Sequence, residues 1–122
     1  MAVPLAERHC EVCRPGTPTL DAETMDALLA ELEGWAIEEA QDGHLQLTKT
    51  FRFKGFMPGV ELVNAIAAIA EEEGHHPDLH LSYGSLEVDL TTHAAGGLTE
   101  NDFVLAAKID RIRPAGGRFT LS

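Results

Sequence analysis

Leu79-His80-Leu81-Ser82-Tyr83-Gly84-Ser85-Leu86-Glu87-Val88-Asp89-Leu90-Thr91 is the stretch that decides the fold. Leu79 and Leu81 alternate with His80 and Ser82, and Leu86, Val88 and Leu90 alternate with Glu87, Asp89 and Thr91. A period of two on each side of a Tyr-Gly-Ser turn predicts two antiparallel strands with one apolar and one polar face. Upstream, Trp35 and Ile37 alternate with Ala36 and Glu38, Asp42-Gly43 is a strong hairpin turn, and Leu45, Leu47, Phe51 and Phe53 alternate with Gln46, Thr48, Thr50 and Arg52. A second two-stranded ribbon follows.

Between the ribbons the pattern is helical. Across residues 56–73, Phe56, Val60, Val63, Ala67 and Ala70 line one face and Leu62, Ile66 and Ile69 an adjacent one, leaving a narrow polar side. That apolar width predicts burial against the sheet and also against a neighbouring helix or subunit. Gly74 ends this helix and Pro77 prevents its resumption. Near the N-terminus, Asp21 caps an earlier helix with Glu23 in its first turn, Met25, Leu28, Leu29 and Leu32 as its buried stripe, and Gly34 at its end. After the Gly96-Gly97 loop, Thr99 with Asp102 three residues later reads as a capping pair. The helix so opened carries Phe103, Ala106, Ala107 and Asp110 on one side and Leu105, Ile109 and Ile112 on the other.

The expected fold class is α+β, in the order α-β-β-α-β-β-α, with a four-stranded antiparallel sheet and three helices packed on one face. Residues 1–20 are expected as an arm that Pro4, Pro15 and Pro18 keep irregular, residues 21–113 as a single domain, and residues 114–122 as a tail. The second sheet face, with Glu38, Gln46, Thr48, Thr50, Arg52, Ser82, Glu87, Asp89 and Thr91, is polar enough to be solvated. Self-association is therefore expected through strand edges or the apolar middle helix.

At 122 residues one core suffices. Lys and Arg number 9 against 20 Asp and Glu, and the resulting charge of -11 repels phosphate backbones and anionic membranes, so neither nucleic acid nor membrane is an expected partner. No cationic leader precedes an apolar segment and no apolar run reaches the ~18 residues of a membrane span; the expected location is the cytoplasm. Cys10 and Cys13 form a Cys-x-x-Cys pair that with His9 offers three zinc ligands and no obvious fourth. An inert thiol pair on an ordered arm is the preferred reading.

The chemistry-bearing residues cluster. Four of the six histidines fall between positions 75 and 93, beginning with Glu71-Glu72-Glu73-Gly74-His75-His76-Pro77 and ending with Thr91-Thr92-His93. Taking Phe56, Val60, Val63 and Ala67 as the buried stripe, helical phase sets Glu71 about 60° from its centre and Glu72 about 160° away, so Glu71 is the acid expected to look inward. Four residues before His75, it would orient that imidazole. A solvated acidic run is the plainer alternative, although three acids at a helix C-terminus oppose the macrodipole. Histidines titrate near neutrality, and three at one cleft can donate and accept protons there. Thr91 and Thr92 have hydroxyls and backbone groups suited to a flat polar heterocycle. A metal held by His75, His76 and His80 is disfavoured because Pro77 breaks their periodicity, and no nucleophile elbow is present. Asp102 has two readings, helix cap and site residue, which are compatible.

These residues resemble the pterin-4a-carbinolamine dehydratase family, also known for a dimerisation cofactor of a homeodomain transcription factor. The resemblance rests on Glu71-x3-His75-His76-Pro77, Thr91-Thr92-His93-x3-Gly97-Leu98-Thr99-x2-Asp102, Leu105-Ala106 and Ile109-Asp110, with Phe51-x-Phe53-x2-Phe56 and Gly34-Trp35 in support. It spans about residues 20–112, and the Cys10-x2-Cys13 arm is similar to bacterial members. The resemblance implies the same fold, dimers or tetramers, and loss of water from 4a-hydroxytetrahydropterin to give quinonoid dihydropterin, without metal or organic cofactor. It implies His75, His76 and His93 as acid/base and binding histidines, Glu71 as their orienting acid and Asp102 as support. Pterin contacts are expected from Gly74, His75, His76, Pro77, Thr91, Thr92, His93 and Ala94, largely through backbone. Similar proteins act instead as transcriptional dimerisation cofactors or as assembly factors for a carboxylating enzyme, which leaves a non-catalytic binding module as the alternative.

Overall fold

Asp21 opens the first helix as its sequence context predicts: its carboxylate accepts the Thr24 N–H at 2.7 Å, and α1 runs Ala22–Leu29. In this computed structural model, which describes residues 4–11, 17–112 and 119–120, the chain continues through β1 (Ala36–Glu39), β2 (Leu45–Phe53), α2 (Met57–Glu73), β3 (Asp78–Ser82), β4 (Ser85–Leu90) and α3 (Glu100–Asp110). The order is the expected α-β-β-α-β-β-α. The antiparallel sheet is ordered β1-β2-β4-β3, so the second ribbon docks through β4 onto β2. Register follows the apolar alternation: Ile37 faces Leu47, Leu47 faces Leu90, and Leu81 faces Leu86. A slip of one residue would turn every one of these side chains to the polar face.

Two short elements lie outside the sequence reading. A 3-10 turn, Leu5–Glu7, forms within the stretch read as irregular, and Leu5 is only 2 % exposed in the core. Past α3, β5 (Phe119–Thr120) pairs with Arg52 and Phe53 of β2, on the opposite side from β4. Cys13, Pro15, Pro114 and the Gly116-Gly117 pair lie outside the described residues.

The core lies between the apolar sheet face and the helices. Leu47, Phe51, Leu86, Val88 and Leu90 meet Leu62 and Ile66 of α2 and Phe103, Val104, Leu105 and Ile109 of α3, all fully buried. α3 is the central helix, buried at nearly every position. α1 buries no residue completely, but its Met25, Leu28 and Leu29 pack on the core edge. Gly59 lets α2 approach the sheet closely, since a Cβ there would stand 2.5 Å from Leu81 and 2.6 Å from Phe53.

The burial of α2 corrects its predicted phase. Its core stripe is Gly59, Leu62, Ile66 and Ala70, whereas Phe56 is 46 % exposed and Ala67 is exposed. At about 100° per residue, Glu73 continues that stripe and Glu71 lies more than a quarter-turn off it. Apolar residues surround this helix so widely that periodicity alone did not discriminate between the two faces.

Lys49 also breaks the alternation, standing on the inner face of β2 with only 6 % of its surface exposed. Its ammonium donates to Asp110 at 2.9 Å and to the Glu33 carbonyl at 2.7 Å, and lies 4.9 Å from the Phe51 ring centroid. Trp35 Nε1 donates to the same Asp110 oxygen at 2.9 Å. The buried charge is therefore paired and hydrogen-bonded, the condition under which burial is tolerated.

Candidate active site

The site is built where α2 stops. Gly74 adopts the left-handed conformation, with φ 67°, and the Gly74 and His75 N–H groups both close on the Ala70 carbonyl. Any side chain at position 74 would be strained in that conformation. This turn carries His75 and His76 away from the helix axis. Across the cleft, the segment after β4 makes a tight loop in which Thr92 pairs with Gly97 and His93 is exposed. The N-terminus of α3 forms the floor.

Asp102 is the centre of this arrangement. It is fully buried, with 0 % exposure, and its Oδ2 accepts the Thr99 N–H at 2.9 Å and the Thr92 hydroxyl at 2.8 Å. Its other oxygen, Oδ1, lies 2.6 Å from His75 Nε2. An ionised carboxylate only accepts, so His75 Nε2 is the donor in this contact. Because the Thr92 proton is committed to Asp102, the 2.8 Å contact between the Thr92 and Thr99 hydroxyls has Thr99 as donor. Capping of α3 and orientation of His75 are thus two uses of one carboxylate.

The expected partnership of Glu71 is corrected. Glu71 is 78 % exposed and its Oε2 meets His76 Nε2 at 2.5 Å, not His75. The inward acid is Glu73, whose side chain is 3 % exposed. Burial by itself would raise the Glu73 pKa, but the Cys10 N–H at 2.7 Å, His9 at 3.0 Å and Lys108 at 3.6 Å together hold it below the ordinary carboxylate value. Glu73 therefore ties the N-terminal arm to the end of α2. Cys10 is half-buried with its Sγ 3.6 Å from the Asn101 carbonyl, and His9 is engaged by Glu73.

A cavity of about 340 Å³ unites the site, within the range of small-molecule pockets. Gly74, His75, His76, Thr91, Thr92, His93 and Ala94 line it, as read from the sequence, together with Glu11 and Asn101, which were not. Pro77, also expected at the site, is not among the residues that line this cavity. The Thr91 hydroxyl donates to the Leu45 carbonyl at 2.8 Å and that of Thr92 to Asp102, so both hydroxyl protons are committed within the protein. Glu11 and Asn101 lie 90 residues apart in sequence yet exchange two hydrogen bonds.

The polar sheet face is more structured than a solvated surface. Asp89 is 8 % exposed and accepts the Thr48 hydroxyl at 2.6 Å. Its hydrogen bond with Glu87, and their mutual repulsion, raise the Glu87 pKa. Among the described residues, His80, Glu87 and Asp89 are the group of potential ligands whose atoms all fall within 4.8 Å of one another, a grouping also common where no ion binds. No helix among the described residues is long and apolar enough to cross a membrane.

The fold is an α+β domain, and its cleft lined by histidines is backed by a buried carboxylate. The model of the family described as pterin 4 alpha carbinolamine dehydratase matches residues 18–112, and the chain belongs to that family. A Rickettsia bellii protein is 46% identical over 110 residues, covering 89% of this chain and 94% of that one, and a Saccharophagus degradans protein is 44% identical over 108 residues, covering 88% and 95%. Both carry the name pterin-4-alpha-carbinolamine dehydratase as a provisional designation. The crystal structure of a transcriptional coactivator/pterin dehydratase from Brucella melitensis is similar with a TM-score of 0.68 at 33% identity, covering 75% of this chain and 95% of that one. A pterin dehydratase-like RuBisCO assembly factor of the alpha-carboxysome shares the fold, with a TM-score of 0.53 at 23% identity, covering 64% of this chain and 87% of that one.

Proposed function

We propose that this protein dehydrates 4a-hydroxytetrahydropterin to quinonoid dihydropterin, recycling the pterin cofactor of aromatic amino acid hydroxylases. The observation that carries the reading is the cavity shared by His75, His76 and His93, with His75 fixed by the buried Asp102. In the reaction the C4a–O bond breaks, the hydroxyl leaves as water with a proton from a general acid, and the N5 proton passes to a general base as the C4a–N5 double bond forms. One proton enters and one leaves, so no cofactor or metal is consumed. His75 and His93 flank the departing hydroxyl, one of them as acid. His76 positions the pterin or handles the other proton, and the exposed Glu71 steadies His76. Pterin contacts come from the backbone of residues 74–76 and 91–94.

The working protein is a cytoplasmic homodimer or homotetramer in this reading, with the exposed face of α2 around Phe56 and Met57 as a surface for self-association. The Brucella melitensis neighbour is named a coactivator as well as a dehydratase, so binding of a protein partner is kept as a second reading, in its extreme form a non-catalytic binding module. Dehydration of synthetic 4a-hydroxytetrahydropterin tests the two. Acceleration over buffer, lost in His75→Ala, supports the enzyme; a stoichiometric protein partner without turnover supports the module.

A further inference from the structure

The N-terminal arm enters the cavity wall through Glu11, the only carboxylate among the residues that line it. Its backbone is clamped on both sides. The Glu11 N–H donates to Asn101 Oδ1 at 2.9 Å, and Asn101 Nδ2 returns a hydrogen bond to the Glu11 carbonyl at 2.6 Å. One residue earlier, the Cys10 N–H is held by Glu73, and Arg8 pairs with Glu100 at 2.6 Å. Asn101 is 7 % exposed and precedes Asp102 on the first turn of α3. The arm is therefore registered against the same helical turn that orients His75. Glu11 has its backbone fixed and its side chain exposed.

Resting on the dehydratase reading above, we propose that Glu11 is a substrate-recognition residue, its carboxylate accepting the paired N–H donors of the pterin's pyrimidine edge. That edge presents N3–H and the 2-amino group side by side, a two-donor fork of the kind that a carboxylate accepts in bidentate fashion. The remainder of the lining consists of histidine, threonine, glycine, alanine and asparagine residues, none of which supplies a second anionic acceptor. Placing the pyrimidine edge at the arm directs the opposite ring, with C4a and N5, toward the histidines. Hydrogen bonds to a charged group contribute about 1.5–3 kcal/mol, equivalent to about a 10- to 100-fold change in affinity.

The test compares wild type, Glu11→Gln and Glu11→Asp in binding 7,8-dihydropterin and its 2-desamino analogue by calorimetry, and in turnover of 4a-hydroxytetrahydropterin. Glu11→Gln is expected to weaken dihydropterin binding and raise KM by about 10- to 100-fold, with kcat little changed. Wild type is expected to prefer the 2-amino ligand, Glu11→Gln to lose that preference, and Glu11→Asp to recover part of it. Unchanged dihydropterin binding in Glu11→Gln, or a wild type indifferent to the 2-amino group, overturns the role of Glu11 alone. A fall in kcat at constant KM also overturns it, because Glu11 would then act through the histidines. A wild type that binds neither ligand overturns the pterin reading of the whole cavity.

Discussion

Two histidine–carboxylate pairs stand side by side at the end of α2, nearly equal in length and opposite in setting. His75–Asp102 measures 2.6 Å with side chains 11 % and 0 % exposed; His76–Glu71 measures 2.5 Å with side chains 60 % and 78 % exposed. Distance alone ranks them as equals. Burial separates them, because an exposed pair is screened by water and contributes about 0–1 kcal/mol, whereas a buried carboxylate with three donors fixes both a tautomer and a ring orientation. The inner pair is thus the more firmly held of the two, and the outer pair the more open to solvent.

The largest break in this comparison is expected from Asp102→Asn. It removes the charge that holds the His75 Nε2 proton, so turnover should fall by about 100- to 10,000-fold, with a loss of about 1–3 kcal/mol in urea denaturation. Thr92→Val follows: it deletes the buried hydroxyl donated to Asp102 and should cost about 1–3 kcal/mol, together with about a tenfold loss of rate if the barrier rises by about 1.4 kcal/mol.

Glu73→Gln extends the comparison to a second pair of acids, since Glu73 and Glu71 lie two residues apart on α2 with opposite burial. The folded-state pKa of Glu73 is depressed. Its contribution is therefore complete above the ordinary carboxylate value and disappears as pH falls through the lowered one. Acid unfolding of wild type should show this loss, and Glu73→Gln should flatten that limb of the stability profile. The smallest effect belongs to Glu71→Gln, expected within about 1 kcal/mol of wild type, reduced further by salt, and within a few-fold in turnover.

The sequence carried the fold well because its signals are local. Alternation over 79–91, the Asp42-Gly43 turn and the Asp21 cap each act within a few residues. The two halves of the histidine cavity were legible for the same reason: each is a short segment, 74–76 and 91–94. What failed was phase and distance. α2 is apolar on more than one side, so its core stripe was misassigned and Glu71 received the burial that belongs to Glu73. Glu11 and Asn101 meet across 90 positions of chain, and no local pattern encodes that contact. Lys49 was missed because an inward lysine is exceptional unless a partner such as Asp110 awaits it.

The most direct measurement is the rate of dehydration of 4a-hydroxytetrahydropterin by wild type, His75→Ala and Glu71→Gln under identical conditions. Wild type is expected to accelerate the reaction, His75→Ala to lose about 100- to 10,000-fold, and Glu71→Gln to keep near-wild-type turnover. Full activity in His75→Ala, or a wild type no faster than buffer, would contradict the proposed chemistry.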